Sequence, residues 1–151
     1  MHIFRTARQS DLPDIVRLLA DDDLGSTREV VSDPIDARYL AAFAAIDADP
    51  NQLLAVASDE TDRVTGCLQL SFLPGLSRTG MWRGQIESVR IASHRRGSGL
   101  GSQFIEWAMA RCAERGCGLV QFTTDKARAD SIRFYEKLGF VASHEGLKRN
   151  L

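Results

Sequence analysis

The segment His94-Arg95-Arg96-Gly97-Ser98-Gly99-Leu100-Gly101-Ser102 constrains this chain more than any other. Residues 81–91 before it have the composition of a strand, and Phe104, Ile105, Ala108, Met109 and Cys112 after it share one helical face that ends near Gly116. A strand feeding a glycine-rich turn into a helix places the chain among α/β folds and builds an anion site. The first amides of the helix have no partners inside it, the helix dipole adds partial positive charge, and glycine lets a phosphate approach the backbone. A lone G-x-G is also compatible with a helix start that binds nothing. Three glycines at alternate positions beside two arginines favour the anion. The spacing fits neither G-x-G-x-x-G nor G-x-x-x-x-G-K-[ST], which argues against a dinucleotide or a Walker loop. What is present is Arg96-x-x-Gly99-x-Gly101.

The rest of the chain supplies patterned elements on both sides of this loop. Residues 2–8 read as a first strand, and Ser10 stands at the N-cap position of a helix with Asp11 and Pro13 in its first turn. Leu12, Ile15, Val16 and Leu19 give that helix an apolar face, and the stretch 21–26 breaks it. A second helix is predicted over 34–47, followed by strands at 53–58 and 64–72. In the latter, Val64, Gly66, Leu68, Leu70 and Phe72 alternate with polar positions, as in a half-buried strand. Beyond the glycine loop and its helix come a strand at 119–124, a helix at 129–138, a strand at 140–144 and a candidate strand at 147–151. The order β-α-α-β-β-β-α-β-α-β, without repeat or linker, is that of one domain over 1–151.

Composition narrows the partners. With 19 Lys+Arg against 20 Asp+Glu, a formal charge of −1 and a pI near 6.3, the chain lacks the basic excess of a nucleic-acid-binding domain. At 151 residues with 44% hydrophobic content, no disulfide or structural metal is needed to hold a core. Cys67, Cys112 and Cys117 form no C-x-x-C pair, and there are only three histidines, so no metal site is expected. No apolar leader or membrane-length run is present, and the expected setting is cytoplasmic, with reduced thiols and no membrane partner.

The Arg96-x-x-Gly99-x-Gly101 signature, followed about a strand and a helix later by Phe134-Tyr135-Glu136-Lys137-Leu138-Gly139-Phe140, resembles the GNAT superfamily of N-acetyltransferases. The resemblance is strongest over residues 81–141. It implies a single-domain α/β fold whose central sheet is mixed, mostly antiparallel, flanked by helices and splayed at the cofactor strand. It implies acetyl-CoA as acyl donor. The backbone of Val89, Arg90 and Ile91 would pair with the pantetheine arm, and the amides of Arg96, Gly97, Ser98, Gly99, Leu100, Gly101 and Ser102 would hold the pyrophosphate. Arg95 or Arg96 would add charge. Many members carry Asn seven residues before the tyrosine, where this chain has Arg128, a residue able to reach a phosphate instead.

Amine acetylation needs a neutral amine, so a base or a water wire must take a proton from an alkyl ammonium. The family reacts by direct attack in a ternary complex, which leaves the cysteines as small apolar fillers. Tyr135 occupies the family position of the general acid for the departing thiolate, although Ile132, Tyr135 and Leu138 also share a helical face and the ring could simply pack. Glu87 is the candidate base: it alternates with Val89 and Ile91, and apolar neighbours would desolvate it. A solvated side chain, or an ion pair with Arg83 or Arg90, is its alternative role. His94 and His144 are weaker candidates. The acceptor would be framed by residues 21–33 and 72–84, where Asp21, Asp22, Asp23 and Glu29 could attract an amine and Phe72, Leu73, Met81 and Trp82 could line an apolar slot. A small-molecule amine is the first expectation and a peptide amine the second. A non-catalytic acyl-CoA-binding sensor or interaction module is the alternative function, and a homodimer is compatible with the resemblance.

Overall fold

The computed structural model describes residues 1–128 and 130–151, in two compact units, Met1–Gln121 and Phe122–Leu151. The first contains, in chain order, β1 (Ile3–Thr6), α1 (Leu12–Ala20), α2 (Ala37–Ala48), β2 (Gln52–Ser58), β3 (Val64–Leu73), the single turn α3 (Ser77–Gly80), β4 (Trp82–Ile91), α4 (Leu100–Glu114) and β5 (Cys117–Gln121). The second contains α5 (Ser131–Glu136). The five strands form one sheet in the order β1-β2-β3-β4-β5. Neighbours are antiparallel except β4 and β5, which run parallel and are joined through α4. The fold is thus α/β with a mixed, mostly antiparallel sheet, as the sequence pattern implied.

Helices cover both faces of this sheet. On one, Leu12, Ile15 and Leu18 of α1 cluster with Val56 and Cys67, and Leu40 and Phe43 of α2 pack against that cluster. On the other, Phe104 of α4 is fully buried and stacks on Phe4 of β1, with ring centroids 5.0 Å apart. β3 is consequently buried along nearly its whole length, polar Thr65 and Ser71 included, so its period-2 pattern marks two covered faces and not one.

Local chemistry sets the element ends. α1 is preceded by a short turn in which the Asp11 carboxylate accepts the Arg8 amide at 2.7 Å and the Arg5 guanidinium at 2.7 Å. Asp11, and not Ser10, therefore organises this helix start. α4 ends at Glu114, and Gly116 beyond it adopts φ +78°. In the second unit α5 is shorter than the periodicity predicts. Its predicted first residue, Ala129, lies outside the described residues, and Gly139, at φ +88°, turns the chain so that the Phe140 amide returns to the Tyr135 carbonyl at 3.1 Å. Residues 140–151 form no strand, contrary to the two predicted there, and Val141 and Leu147 are exposed. No helix among the described residues is long and apolar enough to cross a membrane.

Candidate active site

The parallel ladder between β4 and β5 stops at Gln85↔Gln121. β4 continues for six more residues, through Ile91, held by β3 alone. The sheet therefore forks, and the edge of β4 that faced β5 carries backbone groups beyond the ladder. At the fork the Gln121 side-chain amide donates to Gln85 Oε1 at 3.1 Å.

A bulge lies just past the fork. The β3 pairing passes from Gln69↔Glu87 to Cys67↔Arg90, so Ser88 and Val89 together oppose Leu68, and Ser88 adopts φ +55°. The extra residue reverses the alternation. Glu87 and Arg90 share the face of Gln69 and Cys67, while Ile91 lies on the face of Gly66, where its Cδ1 would meet an added Cβ at 2.9 Å. The predicted grouping of Glu87 with Ile91 on one face is thus undone by the bulge. Glu87 is exposed and its carboxylate has no protein partner among the described residues, in keeping with the solvated alternative and with neither the predicted desolvation nor an ion pair. Nothing in a period-2 pattern announces a bulge at a serine, which is why sequence reasoning misplaced it.

The expected cofactor segment already engages arginines. Val89 O accepts Arg90 Nη1 at 2.9 Å, and Ile91 O accepts Arg96 Nε at 3.1 Å. Asp21 and Asp22, expected to attract an amine, face these arginines: Arg96 lies 3.5 Å from Asp21 Oδ2 and Arg90 lies 3.5 Å from Asp22 Oδ2. Asp22 also accepts the Gly25 amide. Glu29 accepts the Tyr39 hydroxyl at 2.6 Å, and that hydroxyl receives the Val30 amide, so the segment after α1 is pinned to α2. Burial first, then this bond to Glu29, raises the Tyr39 phenol above its ordinary range.

The glycine loop has the form of an anion cradle. Gly97 and Gly99 take φ +76° and +85°, and a Cβ on either would meet nothing within 4 Å, so what these positions demand is left-handed backbone and the space before it stays open. Gly99 is the N-cap of α4 and offers no side-chain cap, which leaves the first-turn amides of Leu100, Gly101 and Ser102 without a capping side chain in a helix of 15 residues. The Leu100 side chain is buried at 1% exposure and anchors the loop from beneath, while Arg96 and Ser98 are exposed. Ser98 Oγ donates to Arg95 O at 2.6 Å, and exposed His94 lies in the turn leading into the loop.

In the second unit Tyr135 is buried at 9% among aromatic rings, its centroid 3.9 Å from Phe122, 4.9 Å from Phe134 and 5.8 Å from Phe140. Ile132, expected on the same packed face, is exposed. Arg128 is half-buried with its amide donating to Asp125 O at 2.9 Å, and exposed His144 pairs with Ser143 Oγ at 2.7 Å.

A forked β4 edge leading into a left-handed glycine loop at the start of a helix is matched at the level of sequence. Residues 13–140 match the acetyltransferase (GNAT) family model. The chain belongs to the GNAT acetyltransferase family. An aminoalkylphosphonate N-acetyltransferase of Salmonella typhimurium is 30% identical over 119 residues, 77% of this chain and 75% of that protein. A glucosamine 6-phosphate N-acetyltransferase of Trypanosoma brucei brucei is 28% identical over 149 residues, 94% of this chain and 99% of that protein. Among solved structures, a protein of Bacillus halodurans C-125 described as a transcriptional regulator is 48% identical, with a TM-score of 0.97 over the whole of both chains. Two residues that sequence reasoning passed over, Gln85 and Gln121, mark the fork itself. Their only sequence signal was a polar residue on each of two neighbouring strands.

Proposed function

We propose that this chain transfers the acetyl group of acetyl-CoA to the primary amine of a small molecule, with a peptide amine as the second choice of acceptor, and that the acetyltransferase domain spans 1–151. The observation that carries this reading is the ladder ending at Gln85↔Gln121, which leaves Ile86 to Ile91 one-sided immediately before the glycine loop. Bound there, acetyl-CoA would supply an activated thioester carbonyl. Val89, Arg90 and Ile91 would pair with its pantetheine arm, for which the arginine contacts now on Val89 O and Ile91 O must yield. The amides of Arg96, Gly97, Ser98, Gly99, Leu100, Gly101 and Ser102 would hold its pyrophosphate, aided by the helix dipole and the Arg96 guanidinium.

In the proposed chemistry Glu87 receives a proton from the acceptor ammonium, directly or through water. The neutral nitrogen forms the new C–N bond as the C–S bond breaks, and the Tyr135 hydroxyl gives its proton to the leaving sulfur. The second proton of the acylated nitrogen returns through water to the Tyr135 phenolate, leaving a neutral amide, CoA thiol and one proton released from Glu87. The acceptors named for the two curated relatives, an aminoalkylphosphonate and an amino-sugar phosphate, are small amines, which supports a small-molecule acceptor here. Thermal-shift measurements with acetyl-CoA, CoA, ATP and NAD, followed by thiol release across an amine panel, test the reading. Stabilisation by the first two and acetyl-CoA turnover on a primary amine are expected; stabilisation by ATP or NAD alone would overturn it.

A second reading has one observation in its favour, the regulator description of the Bacillus halodurans relative. On that reading the chain binds acyl-CoA and signals its presence without turnover. Acetyl-CoA binding with no thiol release on any amine of the panel would favour it.

A further inference from the structure

On β4, the residues before the bulge present a charged and polar series to one face of the sheet. Arg83, Gln85 and Glu87 lie at alternate positions and pair across β3 with Leu73, Ser71 and Gln69. The same face continues through Gln52 of β2, whose Oε1 accepts both Gln69 Nε2 and Ser71 Oγ at 3.0 Å, and through Gln121 of β5. A row of amides and a hydroxyl thus crosses four strands, at side chains that are half-buried apart from buried Ser71.

The two ends of the β4 series carry opposite charge. Arg83 is half-buried, and its guanidinium has no acceptor among the described residues; Glu87 is exposed with no donor among them. This contrasts with the arginines past the bulge, since Arg90 and Arg96 each face an aspartate. Arg83 is also too remote to serve the pyrophosphate loop. Eight residues of strand separate it from Ile91, about 26 Å at ~3.3 Å per residue. The Arg83 and Glu87 Cα atoms are about 13 Å apart on the same count, a span that two side chains reaching inward reduce to the size of a small molecule. Between them Gln85 already spends its Oε1 on Gln121, so its amide nitrogen remains a donor for a ligand.

We infer that Arg83, Gln85 and Glu87 form the acceptor subsite, and that it takes a small zwitterionic amine whose oxyanion sits on Arg83 and whose ammonium meets Glu87. Arg83 thereby selects the acceptor, and its planar fork favours a phosphonate, phosphate or carboxylate, which can accept two parallel N–H bonds. The inference rests on the acetyltransferase reading for the role of Glu87, while the recognition of the oxyanion by Arg83 is a binding property that stands or falls alone.

The test is calorimetric titration of 2-aminoethylphosphonate, O-phosphoethanolamine, β-alanine and propylamine into the protein saturated with CoA. At least one of the first three is expected to bind at least tenfold more tightly than propylamine, and their ranking distinguishes phosphonate, phosphate and carboxylate. Arg83→Gln is expected to weaken that acceptor about tenfold to a hundredfold, with CoA affinity and melting temperature unchanged, and Arg83→Lys to recover part of the loss. Equal affinity for propylamine, no binding by any oxyanion-bearing amine, or an Arg83→Gln variant that binds like the parent would overturn the inference. Oxyanion-amine binding that depends on Arg83 but yields no thiol release from acetyl-CoA would instead refute the catalytic reading and leave the subsite standing.

Discussion

Gly84 of β4 lies directly beneath Cys112 of α4: a Cβ on Gly84 would come within 2.3 Å of the cysteine sulfur and 3.0 Å of its Cβ. The helix that begins at the glycine loop therefore rests on the strand one residue before the fork, and a single missing methyl group sets their separation. Gly84→Ala is expected to destabilise the protein by about 1–3 kcal/mol through overpacking. Because the clash is with one side chain, adding Cys112→Ala should return part of that loss. A double-mutant cycle on urea-unfolding free energies measures the coupling, and additive effects would show that the contact is not what fixes the distance.

Asp11 and Arg5 form a pair with side-chain exposures of 9% and 15%, and Asp62 joins from the β2–β3 turn at 2.9 Å. Burial pushes the Asp11 carboxyl up, but the Arg5 guanidinium and the Arg8 amide together hold it below its ordinary range. A carboxyl depressed in the folded state adds stability above its unfolded pKa of roughly 3.9, and that contribution disappears as pH falls through the lower folded value. The parent should thus lose stability from about pH 4 downward more steeply than Asp11→Asn does. At pH 7 the variant should be less stable by about 3 kcal/mol, since the buried guanidinium keeps only an exposed partner. Melting temperature recorded against pH for both proteins checks the sign and the window.

Local elements were largely legible in the sequence, and the geometry between them was less so. The glycines of 97–101 announced a turn that opens a helix, which α4 does at Leu100, and alternation over residues 64–72 announced β3. The fork and the bulge were different. The end of the β4–β5 ladder is a matter of pairing between strands distant in sequence, and the phase reversal at Ser88 depends on pairing with β3; neither is encoded in the local period of β4. Residues 140–151 fail as strands for a related reason: a strand needs a neighbour, and their own composition does not specify one. The partners of Asp21 and Asp22 come from 68 to 75 residues away, so their charge read as free until the fold brought Arg90 and Arg96 to them.

Gly99→Ala isolates the loop's backbone demand from its packing. With φ at +85° and nothing within 4 Å of the added carbon, the variant meets strain and no clash. Holding a residue other than glycine in this region costs about 1–2 kcal/mol. The loop is expected to relax toward another conformation and pull the α4 amides out of line. Acetyl-CoA binding should weaken about tenfold, with a much smaller change in melting temperature, as read by calorimetry and thermal unfolding.

Burial pushes the Cys67 thiol up to about 12 and the Cys112 thiol up to about 11, and it also raises half-buried Cys117. The thiolate is the reactive form, and at pH 8 a thiol with a pKa near 11 is ionised to about one part in a thousand. Native protein treated with iodoacetamide at pH 8 is expected to stay unmodified at Cys67 and Cys112 while denatured protein is modified at all three cysteines. Rapid native modification of Cys67, read by peptide mass spectrometry, would contradict its place beneath α1.

Tyr135→Phe separates packing from chemistry because the ring stays and only the hydroxyl leaves. The contacts of this ring with Phe122, Phe134 and Phe140 involve its faces and edges, which phenylalanine reproduces. Stability should therefore change by no more than about 1 kcal/mol, the value of one ordinary hydrogen bond. If the phenol gives its proton to the leaving sulfur, kcat should fall by about tenfold to a hundredfold while the KM for acetyl-CoA changes little. An acyl donor with a more acidic thiol needs that proton less, so the deficit should shrink when such a thioester replaces acetyl-CoA. A uniform loss across both donors, or a rise in KM alone, would assign Tyr135 to holding the site's shape.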